Sequence, residues 1–404
     1  MESEHRDLPQ TAEHPAKDVD APNRRWLIAG WLLVAVFVGS MLFCARTARA
    51  QAPGPVSAPR ATFGGFADIA YLFAPNDPYN QDFRSRGTAW HVNDIYLNMA
   101  GAYVKKPASE TSRWGGELTV HSGKDDEIFG FSATAPNIAG ADWLRHLGPT
   151  NVSYVADVGK GLTCQGGIFS SLIGYDSLYA RDNLNYTRPW GADFTPYLMM
   201  GGNASYPFTS KLSGTFYVVN GYWHLANANA VPSSGMQLAY AASPKLTIKE
   251  TVLAGPHQED TAFGVWRFLS DTIVEHKFDR FVIALNYDFA TEQVADTDVR
   301  AWWMTAQLPM QWKAGGPWRI ALRPEVAWDS TGRWTLAEQT VTAFTGTLEY
   351  VKPYNSLGTS VRLEYRVDHS TGPGGGFFTD REDELTPIQQ LLIIGVIVRF
   401  DQSR

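Results

Sequence analysis

The spacing between strand-like segments is the feature of this sequence that most constrains its fold. After residue 60, segments with alternating apolar residues are separated by gaps that alternate between short and long. The short gaps include 160–161, 243–245 and 313–317, and the long polar gaps include 74–88, 171–189 and 370–386. Outer-membrane barrels have short periplasmic turns and long extracellular loops. The pattern therefore predicts an all-β chain that forms a transmembrane antiparallel β-barrel, and it predicts which end faces outward.

The composition narrows the alternatives. The chain is rich in aromatic residues (14 Trp, 17 Tyr and 21 Phe) and contains 36 Gly, which favours strands. Beyond residue 50, no uninterrupted apolar run reaches the roughly 18 residues that a transmembrane helix needs. The net charge is −7 without a basic stripe, so we expect no nucleic-acid partner. Only Cys44 and Cys164 are present, and processing would remove Cys44, so we expect no disulfide.

The first 50 residues read as an export signal. Arg24 and Arg25 precede an apolar stretch at 26–43, and Ala48-Arg49-Ala50 forms a small-residue cleavage pattern. We predict a Sec signal peptide at 1–50, cleaved after Ala50, followed by a proline-containing linker at 51–61. The apolar stretch exceeds the usual ~7–15 residues, so an uncleaved anchor is the alternative. The long polar region before Arg24 also leaves a misplaced start codon open.

Sixteen strands give the best account of residues 62–400, with 14 or 18 as alternatives, and 401–404 would form a C-terminal extension. An even number places both barrel ends in the periplasm. The predicted strands are 62–73, 89–104, 113–122, 150–158, 161–170, 192–206, 210–221, 234–242, 245–254, 264–276, 280–290, 300–313, 317–329, 338–351, 355–369 and 387–400.

Period-two alternation predicts one apolar and one charged face. In 357–368, Leu363 and Tyr365 face one way, whereas Arg362 and Glu364 face the other. A soluble sandwich would also alternate, but aromatic residues at strand ends and strands of about ten residues favour a membrane barrel. Two residues break the pattern, Glu250 on an apolar face and Pro324 within a strand, and either a register error or a bulge would explain them.

Short motifs along most of residues 62–400 resemble the OmpL-like β-barrel porins of Gram-negative bacteria. The resemblance depends on the order and spacing of these motifs, since each alone consists of common strand residues. They lie at 64–68, 166–175, 183–188, 218–221, 347–350, 363–366 and 391–400. The resemblance implies a passive outer-membrane pore. One departure is that 401–404 follow Phe400, whereas such barrels usually end on the terminal aromatic residue.

The third long gap is the first candidate functional segment. It carries Asp176, Arg181, Asp182 and Arg188 together with three tyrosines. By resemblance to porins, this third extracellular loop would fold inward and narrow the pore, and fixed charges there would select solutes by their field. An ordinary external loop is the alternative.

The second candidate is a set of pore-lining charges. Arg319, Arg323, Arg362 and Arg366 form a basic ladder that would attract anions or sugars. Alternatively, neighbouring acids would neutralise the ladder in lateral ion pairs. The acids on the same faces complete the predicted lining, and they are Glu325, Asp329, Glu364 and Asp368, with Glu349 as a further partner.

Catalytic and metal sites find little support in the sequence. The histidines are scattered, and Asp368, His369 and Ser370 alternate between opposite strand faces, so they cannot converge. We expect no enzyme, no cofactor and no metal. Acidic loop clusters such as 125–127 are expected to be solvated surface, with divalent-cation bridges to lipopolysaccharide as the alternative.

The sequence therefore predicts an outer-membrane porin that passes small hydrophilic solutes through a charged lumen. A structural or adhesive barrel without an open pore is the main alternative, and an outer-membrane lipase or protease is the third. The expected partners are outer-membrane lipid, lipopolysaccharide and the barrel-assembly machinery, with a homotrimer by analogy. The sequence does not define the solute or the ion preference.

Overall fold

The computed structural model describes residues 59–129, 140–222, 225–226, 229, 231–258, 264–354 and 357–403. The predicted signal peptide and most of the predicted linker lie outside these ranges. Strands dominate, and the helices are short. Within the described residues, no helix is long and apolar enough to cross a membrane.

Sixteen strands form the wall, and the twelfth consists of two segments. Their bounds are β1 Thr62–Phe73, β2 Ile95–Lys106, β3 Trp114–Ser122, β4 Leu147–Ala156, β5 Leu162–Ser170, β6 Leu198–Pro207, β7 Leu212–Val219, β8 Ser233–Ser243, β9 Leu246–Pro256, β10 Trp266–Lys277, β11 Phe281–Gln293, β12 Arg300–Gln307 with Met310–Gly315, β13 Trp318–Asp329, β14 Gln339–Tyr354, β15 Leu357–Ser370 and β16 Ile388–Ser403.

Eight longer connections, L1 to L8, alternate with short turns along the chain. They comprise 74–94, 123–146, 171–197, 220–232, 257–265, 294–299, 330–338 and 371–387. L2 contains helix α1 (Lys124–Phe129) and the 3-10 helix Ala141–His146. L3 contains the 3-10 helix Ala180–Asp182 and helix α2 (Trp190–Asp193). L8 carries a small hairpin that pairs Phe377–Phe378 with Leu385–Thr386.

Each strand pairs antiparallel with the next, and the first strand also pairs with the last. The closing register runs from Thr62 opposite Ser403 to Phe73 opposite Leu392. The sheet therefore has no free edge, which removes the unpaired backbone groups that lipid cannot satisfy. The predicted sixteen-stranded antiparallel barrel is confirmed.

The two faces of the wall follow the alternation of the sequence. On β15, Leu363 and Tyr365 are 46% and 45% exposed, whereas Arg362 and Glu364 are 3% and 0% exposed. The apolar residues face outward, where lipid would cover them, and the charged residues face the interior.

Two strands begin six residues later than predicted because local loop structure displaces them. The second strand starts at Ile95 rather than 89, since Ala89 and Asn93 adopt φ values of +47° and +64° that no strand tolerates. The sixth strand starts at Leu198 rather than 192, because the preceding residues belong to α2 and to the end of L3.

The irregularity expected at Pro324 lies in the neighbouring strand. Pro324 pairs in register with Phe344 on β14, whereas β12 is interrupted between Gln307 and Met310. The amide of Leu308 donates to the carbonyl of Pro324, and Pro309 has no amide hydrogen to continue the ladder. At the C-terminus, β16 continues through Ser403, so residues 401–403 pair with β1 instead of forming a separate extension.

Candidate functional site in the barrel interior

L3 crosses the interior of the barrel and contacts widely separated parts of the wall. Near its start, the Leu172 carbonyl accepts hydrogen bonds from Gln237 on β8 and Thr251 on β9, at 2.7 and 3.0 Å. Farther along, the Tyr186 hydroxyl donates to Asp68 on β1 at 2.6 Å. Because β1 and β8 lie on different sides of the wall, the loop spans the space between them.

Carboxylates of the wall bind the backbone of L3. Glu364 on β15 accepts from the amides of Tyr186 and Thr187, at 2.5 and 2.9 Å. Glu325 on β13 accepts from the Trp190 amide at 2.6 Å, and Asp368 on β15 accepts from the Trp190 indole N–H at 2.7 Å. Buried hydrogen bonds to charged groups are strong, so these acids fix the path of the loop.

Three arginines of the predicted ladder hold the carbonyls of the same loop. Arg362 donates to the carbonyls of Ala180, Asn183 and Asn185 at 2.8–3.1 Å. Arg323 donates to the Thr187 carbonyl at 2.5 Å, and Arg366 donates to the Arg188 carbonyl at 3.1 Å. These guanidinium groups lie in the barrel interior but contact the loop instead of open water.

The acids beside the ladder form ion pairs with it. Arg366 lies 3.0 Å from Glu325 and 2.7 Å from Asp368, and Arg362 lies 3.0 Å from Glu349. Arg319 differs, because its side chain is 36% exposed and approaches Glu349 only at 3.6 Å. Of the predicted basic ladder, Arg319 alone is substantially exposed.

Asp329 has a role that the sequence did not indicate. Its carboxylate accepts from the backbone amides of Arg333, Trp334 and Thr335 at 2.7–2.9 Å, and it therefore organises the turn of L7. It is 1% exposed. Asp329 was predicted to line the lumen, but its carboxylate is buried against the L7 backbone instead of contacting lumen water.

The four charges predicted for the inward loop occupy different environments. Asp176 accepts from Gln307 at 2.7 Å, and Arg188 is buried 3.5 Å from Asp125 of L2. Arg181 lies over the rings of Phe66, Tyr103 and Tyr179 and pairs with Asp182 at 3.3 Å. Asp182 is exposed and Arg181 is half-buried, so these two border free space.

Two cavities lie on either side of the L3 tip, which we define as residues 182–184. The larger, of about 340 Å³, is lined by Lys249, Glu275 and Lys277. The smaller, of about 140 Å³, is lined by Arg181, Arg319, Arg362 and Arg399. Both adjoin strand ends that lead into short turns, which face the periplasm in outer-membrane barrels.

The opposite half of the interior is filled by an apolar core. Phe83 of L1, Trp190 and Phe194 of L3, and Phe377 of L8 are at most 2% exposed and belong to one buried cluster. Trp334 of L7 stacks on Phe194 with ring centroids 5.8 Å apart. We call this cluster the extracellular core, because it lies at the long-loop end.

Sequence reasoning missed the residues that join several loops to one another. Arg86 of L1 pairs with Asp193 of α2 at 3.0 Å and lies over the Trp190 ring. Asp125 of L2 accepts from the Ala89 amide of L1 at 2.7 Å. The sequence signal for these loop contacts was the presence of aromatic residues such as Phe83 and Phe377 within long loops. Large apolar side chains in a loop indicate burial, because extensive exposed apolar surface is rare.

Within the described residues, the interior offers no cluster that could bind a metal ion. No set of three His, Cys, Asp or Glu side chains could hold a metal ion there. Asp368 and Ser370 are buried inside, whereas His369 is exposed on the other face. The arrangement can therefore bind, repel and exclude solutes.

A closed antiparallel barrel with an apolar exterior and a charged interior defines the class of outer-membrane β-barrels. Within that class, the chain belongs to the family described as "Putative beta-barrel porin-2, OmpL-like", whose model matches residues 60–400. No curated protein is similar enough in sequence to count as a match.

Solved outer-membrane proteins share the fold at low sequence identity. OmpT expressed in the outer membrane of Vibrio cholerae has a TM-score of 0.51 and 12% identity, covering 86% of this chain and 99% of its own. The trimer form of in-vitro folded OmpT has a TM-score of 0.51 and 11% identity, covering 86% and 100%. The anion-selective porin from Comamonas acidovorans has a TM-score of 0.51 and 10% identity, covering 85% and 100%.

Proposed function

We propose that this outer-membrane porin passes small hydrophilic solutes beside the tip of L3, which limits the size of what crosses. The crossing of the interior by L3 is the observation that carries this proposal. Wall residues on β1, β8, β9, β13 and β15 hold the loop, and the two cavities lie beside its tip. Selection would depend on size and on the charges near Asp182, without chemical conversion of the solute.

Deletion of residues 179–186 tests this proposal. Refolded chain 51–404 is inserted into a planar bilayer, and single-channel conductance is compared before and after the deletion. Because residues 182–184 form the tip, we expect larger conductance steps from the variant. Deletion of 295–298 in L6 is the matched control, and we expect it to leave conductance unchanged. An unchanged conductance in the 179–186 variant would refute the role of L3.

A barrel without an open pore is the second candidate. The extracellular core favours it, because tightly packed rings fill the long-loop end of the interior. Stable current steps from folded protein would exclude this candidate. Silence from protein that is shown to be folded would support a structural or adhesive role.

Export and assembly are part of the same proposal. We infer Sec export with cleavage after Ala50, assembly by the outer-membrane machinery, and contact of the apolar exterior with lipid and lipopolysaccharide. A homotrimer is proposed by analogy with the trimer form of OmpT. Mass measurement of the mature N-terminus and of the native complex tests the cleavage site and the trimer separately.

A further inference from the structure

The smaller cavity concentrates positive charge at the short-turn end of the interior. Four guanidinium groups line it, and the carboxylates among its lining residues are Asp182 and Glu349. Two positive charges therefore remain uncompensated. Charges of one sign in an enclosed cleft with low-dielectric walls raise the local concentration of oppositely charged ions.

The four arginines do not have equal freedom to bind a ligand. The Arg362 guanidinium already donates hydrogen bonds to Glu349 and to three L3 carbonyls. Arg319 makes a single long contact with Glu349, at 3.6 Å, and Arg399 forms no ion pair within the described part of the chain. Each guanidinium carries five N–H donors, so Arg319 and Arg399 retain most of theirs.

A glycine on β15 leaves space for the side chain of Arg399. Gly358 lies opposite Arg399 in the strand register, and a Cβ added at Gly358 would stand 3.0 Å from the Arg399 Nε. Glu349 on β14 lies opposite both Arg319 and Arg362. The absence of a side chain at Gly358 thus lets the Arg399 guanidinium lie along the wall toward the cavity.

We propose that this cavity binds a small oxyanion, with a phosphate or carboxylate group held between the guanidinium groups of Arg319 and Arg399. The planar guanidinium fork matches the geometry of both groups and can bind them through two parallel hydrogen bonds. The volume of about 140 Å³ is well below the ~300–1,000 Å³ of pockets for drug-sized ligands, so the ligand is small.

The larger cavity has no excess of positive charge, so it serves as a comparison within the same molecule. Its two lysines face Asp176, Asp182 and Glu275, and Lys277 is already paired with Glu275 at 2.8 Å. Anion binding is therefore assigned to one side of the L3 tip. As a statement about transported solutes, the inference rests on the proposed function. Binding itself requires only access from the short-turn end, where Arg399 is exposed and the Arg319 side chain is 36% exposed.

Titration calorimetry with inorganic phosphate tests the site on refolded chain 51–404 in detergent micelles at low ionic strength. We expect saturable binding by the unchanged chain. Arg319→Gln and Arg399→Gln should each weaken it by about tenfold, because each removes one charge-assisted contact. Arg319→Lys keeps the charge but loses the planar fork, so its phosphate affinity should lie between those of the unchanged chain and Arg319→Gln. Gly358→Ala should also weaken binding by displacing Arg399.

Lys277→Gln is the matched control, because it removes the same charge from the other cavity, and we expect phosphate affinity within about twofold of the original. Equal weakening by Lys277→Gln would overturn the site in favour of a general field. Absence of saturable phosphate binding by folded, unchanged protein would also overturn it. Circular dichroism confirms that each variant is folded, and both tested arginines are exposed enough for replacement to be tolerated.

A bilayer measurement separates this inference from the proposed function. Phosphate binding by a barrel without conductance would retain the site and refute the pore. Conductance without saturable phosphate binding would retain the pore and refute the site. If both hold, the salt-gradient reversal potential should shift toward cations in Arg319→Gln and remain unshifted in Lys277→Gln.

Discussion

The two halves of the barrel interior differ in the chemistry of their side chains, since one is apolar and the other is charged. At the long-loop end, rings of Phe83, Trp190, Phe194 and Phe377 pack into the extracellular core. At the short-turn end, arginine, lysine and carboxylate groups surround two cavities. The difference shows that the strands decide only which side chains point inward, whereas the loops decide whether those side chains meet water.

The sequence of β16 shows that part of the inner wall is apolar instead of polar. On β16, Leu391, Ile393 and Ile397 face inward and are at most 2% exposed, while Leu392 and Ile394 face outward. A wall that met water on its inner face would need polar residues at those inward positions. L3 covers part of the inner face of β16, because the Tyr186 ring lies against Gly395.

The largest expected effect lies where the two halves meet, at Arg366. This side chain is 0% exposed between Glu325 and Asp368. Arg366→Ala would leave the buried Asp368 without its ion-pair partner and would leave Glu325 paired with Arg323 alone. We therefore expect the free energy of unfolding to fall by about 3–5 kcal/mol. Reversible guanidinium unfolding in lipid vesicles measures this change.

Arg319→Ala is the control from the short-turn half. Its guanidinium is 36% exposed and 3.6 Å from Glu349, so solvent screening limits its contribution to stability to about 1 kcal/mol or less. Similar losses in the two variants would show that buried and exposed charges of the interior contribute equally to stability.

Much of the fold could be predicted because its signals are local. Period-two alternation and the alternating gap lengths predict a closed antiparallel barrel, with sixteen strands as the best count and 14 or 18 as alternatives. The second strand was extended too far because 89–94 look strand-like, although Ala89 and Asn93 turn the chain through positive φ. That turn depends on contacts of L1 with Asp125, which no pattern near residue 89 reveals.

The contacts of the interior could not be predicted from spacing. The alternation places Arg362 and Arg366 on the polar face, but their partners are carbonyls of L3 that lie 182 and 178 residues earlier in the chain. The sequence allows lateral ion pairs and ligand attraction as alternatives for the ladder. In the structure, individual arginines differ, because Arg366 is buried in ion pairs whereas Arg319 is exposed.

An intermediate effect is expected at Gly395, where β16 meets L3. A Cβ at this position would stand 2.8 Å from the Tyr186 ring, whose hydroxyl is hydrogen-bonded to Asp68 and Asn98. Gly395→Ala should therefore cost about 1–3 kcal/mol of unfolding free energy through overpacking. Gly346→Ala is the control, since its nearest neighbour would be Leu322 at 3.6 Å. Equal unfolding curves would show that L3 does not press on β16.

The smallest expected effect concerns pH and the ties among L1, L2 and L3. Burial raises the pKa of Asp125 to about 6, while the Arg188 guanidinium opposes this rise. Because this pKa lies above the ordinary value of 3.8, the folded state favours the protonated carboxyl. Its stabilising contribution is fully present below about pH 3.8 and is lost as pH rises through about 6.

We therefore expect amide hydrogen exchange in 123–126 and at Ala89 to accelerate severalfold between about pH 5 and 8, after correction for intrinsic exchange. Burial also raises the pKa of Asp126 to about 6 against the opposing effect of His146, so both acids act in the same direction. Asp125→Asn keeps the shape of the side chain without titrating, and it should reduce this dependence. Slower exchange at the higher pH would mean that the ionised carboxylate, through Arg188, holds the long-loop end together, and the extracellular half would then depend on charge as the other half does.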